Sequence, residues 1–322
     1  MSSAESRRVE QSSSREVEKL DGLPSNLDTQ STSPAAKCAS LLDFSTARLL
    51  DSLRRYPALT AGLAIILVLI ALALAAPLIA PAPPNTIDAK AALHGISAAH
   101  PFGTDNLGRD LLSRVLYGYR LSLRIAFAAT AASLAVGVPL GLIAGYAGGW
   151  TDNVIMRVLD VFFAFPTILL AIALIAVFGS GTGVLVLAIG TIYVPYIARV
   201  VRGSTLALKG ELFVEGARAR GAGPIRLMFR HILPNLMGAI LVQVSLMLGF
   251  AILIEAALSF LGLGTEPPTP SLGRMLADGR DFMSQNPPVV IFPGLAIALA
   301  VLSFNLIGDG VRDWADPRKR GR

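Results

Sequence analysis

Between two strongly apolar runs the chain carries a charged, glycine-containing stretch, Glu215–Asn235, reading EGARARGAGPIRLMFRHILPN. Its residue types suit a shaped surface better than bond making. Gly221 relaxes the steric limits at a helix C-terminus, and Pro224 can open a second helix because its missing N–H is not needed in a first turn. The spacing predicts a helix from about Leu206 to Arg220, a turn, and a second helix after it. In that second helix Ile225, Met228, Phe229 and Ile232 recur at i, i+3, i+4, i+7, with Arg226 and Arg230 elsewhere. One face is expected to pack and the other to stay wet. Catalytic chemistry lacks its groups: there is no G-x-x-x-x-G-K-[ST] loop for nucleotide phosphates, no H-E-x-x-H and no G-x-S-x-G. His94, His100 and His231 stand far apart, without Cys or carboxylate companions at metal spacing, and the single Cys38 can form no internal disulfide.

The elements that hold this stretch are membrane helices. Of 322 residues 53% are hydrophobic and 16% charged, and the mean hydropathy is +0.60, well above that of a soluble domain. Apolar runs long enough to span a bilayer lie at about 59–80, 121–147, 156–178, 183–202, 236–260 and 289–308. The expected fold class is an all-α integral membrane protein with six transmembrane helices, since a helix is the open-chain structure that satisfies its own backbone in lipid. Of the 28 Lys and Arg, eight lie before 59, seven in 199–235 and five from 309 onward, against six in the two large loops on the other side. The N- and C-termini and the stretch 204–235 are therefore expected to be cytoplasmic. Topology and anionic lipid explain the net charge of +6. Nucleic acid is not an expected partner, because the bases are dispersed and lack interleaved aromatics.

Residues 1–57 read as a Ser-rich tail, disordered to about 40, in which Leu41–Arg55 suits either an interfacial helix (41–56) or a plain charged stop. No signal peptide is expected, because the first apolar core begins only near 59. The first span and an external loop fill 58–120, the remaining spans 121–310, and a short tail 311–322. Gly137, Gly141, Gly145 and Gly149 form a ridge expected to pack on a neighbouring helix of the bundle. Pro166 and Pro195 are expected to bend the third and fourth spans. In the external loop, Asp105 with Arg109 and Asp110 with Arg114 are expected to pair on one helix. Glu255, near the outer end of the fifth span, either lines a path or accepts hydrogen bonds near the external surface; the second is the favoured reading.

The order Glu215-Gly216-Ala217, Gly221, Ile232-Leu233-Pro234 resembles the EAA loop of permease subunits of bacterial ABC importers, two short helices that present a docking surface to an ATPase. A second triplet, Glu255-Ala256-Ala257, lacks the following Gly and Leu-Pro and is a chance match. The run His100-Pro-Phe-Gly103-Thr104-Asp105-Asn-Leu-Gly108-Arg109-Asp110, with Arg114 and Arg120-Leu-Ser122-Leu123, is similar to the second (C-type) permease of dipeptide, oligopeptide and nickel importers. So are Gly148-Gly-Trp150 with Asp152, Arg157, Asp160 and Pro166, Ser259-Phe-Leu-Gly-Leu-Gly264, and Phe304-Asn305 with Asp309 and Arg312. The resemblance covers about 57–319. It implies an ABC type I importer permease fold, a multi-pass protein of the bacterial cytoplasmic (inner) membrane. It also implies Glu215, Gly216, Ala217, Gly221, Ala222, Ile232, Leu233 and Pro234 as docking residues and no cofactor on this chain. ATP and Mg would sit in two partner ATPases; a second permease, a substrate-binding protein and membrane lipid are the other partners implied. Two features depart from the family: the long N-terminal tail, and Gly216 in the triplet, which loosens its turn by up to about 1 kcal/mol relative to Ala. The rival class is an autonomous ion-coupled carrier or channel, but Glu255 and Asp160 fall toward span ends and no inverted repeat is visible.

Overall fold

Where water is absent a backbone must bond to itself, and apart from one isolated bridge between Thr104 and Asp110 the regular structure among the described residues is helical. The computed structural model describes residues 56–315; the expected tail, the expected interfacial helix and the chain beyond 315 lie outside them. The helices are α1 (Pro57–Ile79), α2 (Leu111–Ala147), α3 (Gly149–Phe163), α4 (Thr167–Phe178), α5 (Thr182–Leu208), α6 (Leu212–Ala219), α7 (Pro224–Phe260), α8 (Leu272–Gly279) and α9 (Pro288–Ala315). Five of them, α1, α2, α5, α7 and α9, are long and apolar enough to cross a membrane.

The third expected span, 156–178, is no single helix. α3 and α4 meet at 87°. Proline has no N–H to continue the ladder and disfavours helical backbone in the residue before it, so the chain breaks at Phe165-Pro166 and Pro166 becomes the cap of α4. The bend expected at Pro166 is thus a corner. By contrast α5 runs unbroken through buried Pro195. α2 also begins well before the expected 121, carrying its first turns past the apolar run toward the loop of 80–110.

The most extensive helix pair is α2 with α5, and the glycine ridge is the reason. A Cβ on Gly141 would lie 2.5 Å from the Ala198 carbonyl oxygen and 2.8 Å from Val201 Cβ; one on Gly145 would lie 2.7 Å from Thr205 Cβ. Removing side chains at these positions lets the two backbones touch, which is how helices gain dispersion energy when lipid is as apolar as they are. Gly149 is not part of the ridge. Helix α2 has already ended at Ala147, Gly148 and Gly149 both have positive φ, and a Cβ on Gly149 would meet nothing within 4 Å. That turn lays α3 along α5, where Asp152 accepts from Arg202 at 2.5 and 2.6 Å and Asp160 from Arg199 at 2.5 Å. The Arg199 guanidinium also lies 3.8 Å over the Phe163 ring. α1 closes the other side against α9, with Gly62 set on the Ser303 carbonyl and Gly310 on Leu59.

Gly141→Leu should wedge α2 from α5, destabilising the purified chain by roughly 1–3 kcal/mol and lowering its thermal midpoint in detergent. Gly203→Ala, on the same α5 but with open space around it, should leave the midpoint unchanged or raise it.

Candidate functional site

The predicted elbow exists, with two changes. The helix expected from Leu206 to Arg220 is two helices: α5 stops at Leu208 and α6 starts at Leu212. Gly210 sits in the gap, and glycine is the weakest helix former after proline. Lys209 ties the junction back to α2 by donating to the Gly145 carbonyl at 3.3 Å. The end of α6 follows expectation closely. Gly221 has φ +82°; its N–H donates to the Arg218 carbonyl at 2.9 Å and that of Ala222 to the Ala217 carbonyl at 3.1 Å. These two bonds are a Schellman cap, with Ala222 and buried Ala217 packed as its apolar pair.

The second change concerns which face of α7 packs. Ile225 and Phe229, expected to be buried, are 72% and 51% exposed, while Leu227 and Ile232 are buried. One π turn, Leu227–Ile232, causes this. Pro234 has no N–H to return to the preceding turn, and the Leu233 N–H reaches back five residues to the Met228 carbonyl, so residues five apart share a face. Of the sequence-predicted residues, Ala217 and Ile232 anchor the elbow to the bundle together with Val214 and Leu227. Gly216, Ala222 and Leu233 are half-buried, and Glu215, Gly221 and Pro234 are exposed. Val214 was missed although it stands three residues before Ala217, one helical turn away; Leu227 could not be found without the π turn. On the two arms of the elbow Leu212, Phe213, Ile225 and Phe229 are all exposed. Arg220, Arg226, Arg230 and His231 line a concavity of about 280 Å³.

Far along α7 lies a second constellation. Glu255 is fully buried; Oε2 accepts from Ser122 of α2 at 2.6 Å, and Oε1 from Ser259 at 2.8 Å and from Ser271, at the start of α8, at 3.1 Å. The favoured reading of a hydrogen-bond acceptor agrees with this, but the carboxyl is interior, not near the surface. Ser259 at i+4 was legible; Ser122 and Ser271 are distant in sequence and were not. Gly273 lets α8 sit directly on the Ala256 backbone.

The external-loop residues come together in one knot. Asp105 accepts from Arg109 Nε at 2.6 Å and from the Leu107 and Arg109 N–H groups at 2.9 Å each, in a turn and not on a helix. The expected Asp110–Arg114 pair does not form. Asp110 caps α2, accepting from the Ser113 N–H and hydroxyl at 2.7 Å and facing His100 Nδ1 at 3.0 Å, so its carboxylate is turned back into the cap. Arg114 instead approaches Asp105 at 3.6 Å and donates to the Pro84 carbonyl at 3.1 Å. Thr104 is buried, bonded to Ala91 and His94, and its carbonyl accepts from Asn286 at 3.0 Å. Gly103 and Gly108 both have positive φ, and a side chain on Gly108 would collide with the Asp88 carbonyl. Asp309 and Arg312, one turn apart near the end of α9, form no ion pair, and no group of three metal-ligating side chains occurs among the described residues.

Residues 137–321 match the family model described as binding-protein-dependent transport system inner membrane component. The chain belongs to that family. Residues 47–98 match the N-terminal TM domain of oligopeptide transport permease C. The glutathione transport system permease protein GsiD of Pectobacterium atrosepticum is 47% identical over 83% of this chain and 88% of its own. The dipeptide transport system permease protein DppC of Alkalihalophilus pseudofirmus is 46% identical over 80% of this chain and 85% of its own. In fold the chain is similar to a chain of the MetNI methionine ABC transporter in inward-facing conformations, with a TM-score of 0.53 at 17% identity, covering 63% of this chain and 96% of that one. The fold is thus that of an ABC type I importer permease, and this family member is an inner-membrane transport component, not an enzyme; ATP hydrolysis lies in separate subunits. Membership also sets aside the autonomous carrier. In this permease one helix, α7, carries both the second arm of the elbow and Glu255.

Gly216→Ala fills open space and should strengthen α6 by up to about 1 kcal/mol. Gly221→Ala meets a left-handed backbone and should cost about 1–2 kcal/mol. Hydrogen exchange across 212–222 should slow in the first and quicken in the second. At the other end Glu255→Ala strips three hydroxyls of their acceptor and should destabilise the bundle by roughly 3 kcal/mol or more; Glu255→Gln, which keeps one carbonyl oxygen, should lower the thermal midpoint less.

Proposed function

We propose that this permease forms half of the translocation path for short peptides handed to it by an extracytoplasmic binding protein, the other half coming from a second, homologous permease. Two cytoplasmic ATPases, holding ATP and Mg, dock on the elbow through Glu215, Gly216, Ala217, Gly221, Ala222, Ile232, Leu233 and Pro234 and their neighbours. The termini share the cytoplasmic side with the elbow, as the distribution of Lys and Arg supports. The substrate class rests on the names of the relatives, glutathione and dipeptide permeases, since both ligands are short peptides. In the external loop, Gly103, Thr104, Asp105, Gly108, Arg109, Asp110 and Arg114 hold a rigid rim for the binding protein.

One observation carries the docking: Leu212, Phe213, Ile225 and Phe229 are each exposed on an elbow whose inner face is locked to the bundle. Apolar side chains outside lipid mark a protein contact, and a locked inner face passes a push inward without absorbing it. α7 then carries motion from Pro224 toward Glu255, about 47 Å along a continuous helix. There Ser122 and Ser271 tie it to α2 and α8, so displacement of the elbow reaches the far side of the membrane. The α3–α4 corner is a second place where the bundle can bend.

The test is co-purification of the chain and its partner permease with the ATPase subunits. Gly221→Asp, and separately Phe213→Ser with Ile225→Ser, should cut ATPase retention, each apolar anchor being worth roughly 1 kcal/mol or more, while membrane insertion stays intact. Equal retention by all forms would sink the docking proposal.

A further inference from the structure

Two arginines in this permease, Arg120 and Arg124, stand one turn apart on α2 without an ion partner among the described residues. The Nε of Arg120 is buried without a hydrogen-bond partner. From Ile125 to Ala147 the same helix has no charged residue, a length of about 35 Å at 1.5 Å per residue, which fills the hydrocarbon core. The pair therefore sits at the edge of that core, on the side of the loop of 80–110, at the depth of lipid phosphates. A cation at that depth can reach an anionic headgroup, which is where long cationic side chains snorkel to.

Beneath the pair runs an apolar groove of about 670 Å³ between α1 and α2. Ile70 and Leu74 form one wall, Leu123 and Phe127 the other, and the two arginines close one end. The direction is consistent. α1 runs toward the loop and α2 away from it, so Ile70 and Phe127 lie deeper in the core than Leu74 and Arg120. A head that is anionic and a tail that is aliphatic, joined in that order, match this groove.

We propose that Arg120, Arg124 and the α1–α2 groove bind an anionic phospholipid, with its phosphate between the two guanidiniums and one acyl chain along Ile70, Leu74, Leu123 and Phe127. Arginine is suited to the task because its planar fork donates to two phosphate oxygens at once. A zwitterionic lipid fits less well, since its ammonium offsets the phosphate charge and is repelled by the same pair. The bound lipid neutralises the arginines and packs α1 to α2 at the rim of the bundle.

The test uses the full chain in the assembly in which it purifies from its membranes, stripped of lipid in detergent. Dioleoyl phosphatidylglycerol or dioleoyl phosphatidylcholine is added, and bound lipid is counted by native mass spectrometry. Phosphatidylglycerol should bind about tenfold or more tightly than phosphatidylcholine, and the double variant Arg120→Gln, Arg124→Gln should lose that preference. Arg120→Lys with Arg124→Lys should keep most of it. Arg124→Gln alone, at an exposed position, should weaken phosphatidylglycerol binding severalfold without disturbing the fold, so a failure of the double variant to fold leaves the question decidable. Equal binding of the two lipids, undiminished phosphatidylglycerol binding by the glutamine variants, or a protein subunit seated over the groove that admits lipid only when removed would each overturn the assignment.

Discussion

The bundle depends on how closely α2 and α5 approach. Two helices in lipid gain nothing from expelling water, so their attraction has to come from short-range contact between atoms, and contact is greatest where no side chain intervenes. Gly137, Gly141 and Gly145 remove the side chains from one helix, and Ile197, Ala198, Val201 and Thr205 of the other settle onto the bare backbone. The turn at Gly148 and Gly149 then sends α3 back along α5, where the Asp152–Arg202 and Asp160–Arg199 pairs hold it. The end of α5 is fixed as well, through Lys209 on Gly145, and from that fixed end the elbow projects.

The elbow has a rigid base and a patterned tip. The Schellman cap at Gly221 sets the angle between α6 and α7, and Val214, Ala217, Leu227 and Ile232 clamp the inner face. Outward the elbow leaves apolar and basic side chains exposed. α7 connects that tip to a buried carboxylate whose two oxygens receive hydroxyls from three separate places in the chain. Three hydroxyl donors offset part of the cost of burying this carboxyl group, and it joins α2, α7 and α8 at one point. The knot around Asp105 and Asp110 does the same for the loop, with each carboxylate accepting several donors.

Most of the architecture and the elbow turn are legible in the sequence. Hydropathy marks spans because a lipid-facing helix must be apolar over its whole length, and Gly221 and Pro224 mark the elbow because both act through their own covalent structure. Errors arose wherever a neighbour decided. Of the expected face of α7, Ile232 and Met228 pack on the bundle and Ile225 and Phe229 do not, because a single π turn shifts the register, and register depends on which backbone groups find partners. Asp110 and Arg114 have the right spacing for a helical pair, yet the carboxylate is drawn into capping α2. The spacing of Gly149 continues the ridge, but the helix ends before reaching it.

By itself, then, the sequence determined the all-helical membrane class, the approximate spans, a bend at Pro166, most of the glycine face of α2 and the site of the elbow turn. These follow from length, hydropathy and the special backbones of glycine and proline, all of them local properties. Only the tertiary structure decided that the α3–α4 corner is nearly square, that Glu255 meets Ser122 and Ser271, that Leu227 and not Ile225 faces the bundle, and that Arg120 and Arg124 share a groove with α1. Each of those joins residues far apart in the chain or turns on the register of a helix against its neighbours, and no periodicity within one segment encodes which surface the next segment will present to it.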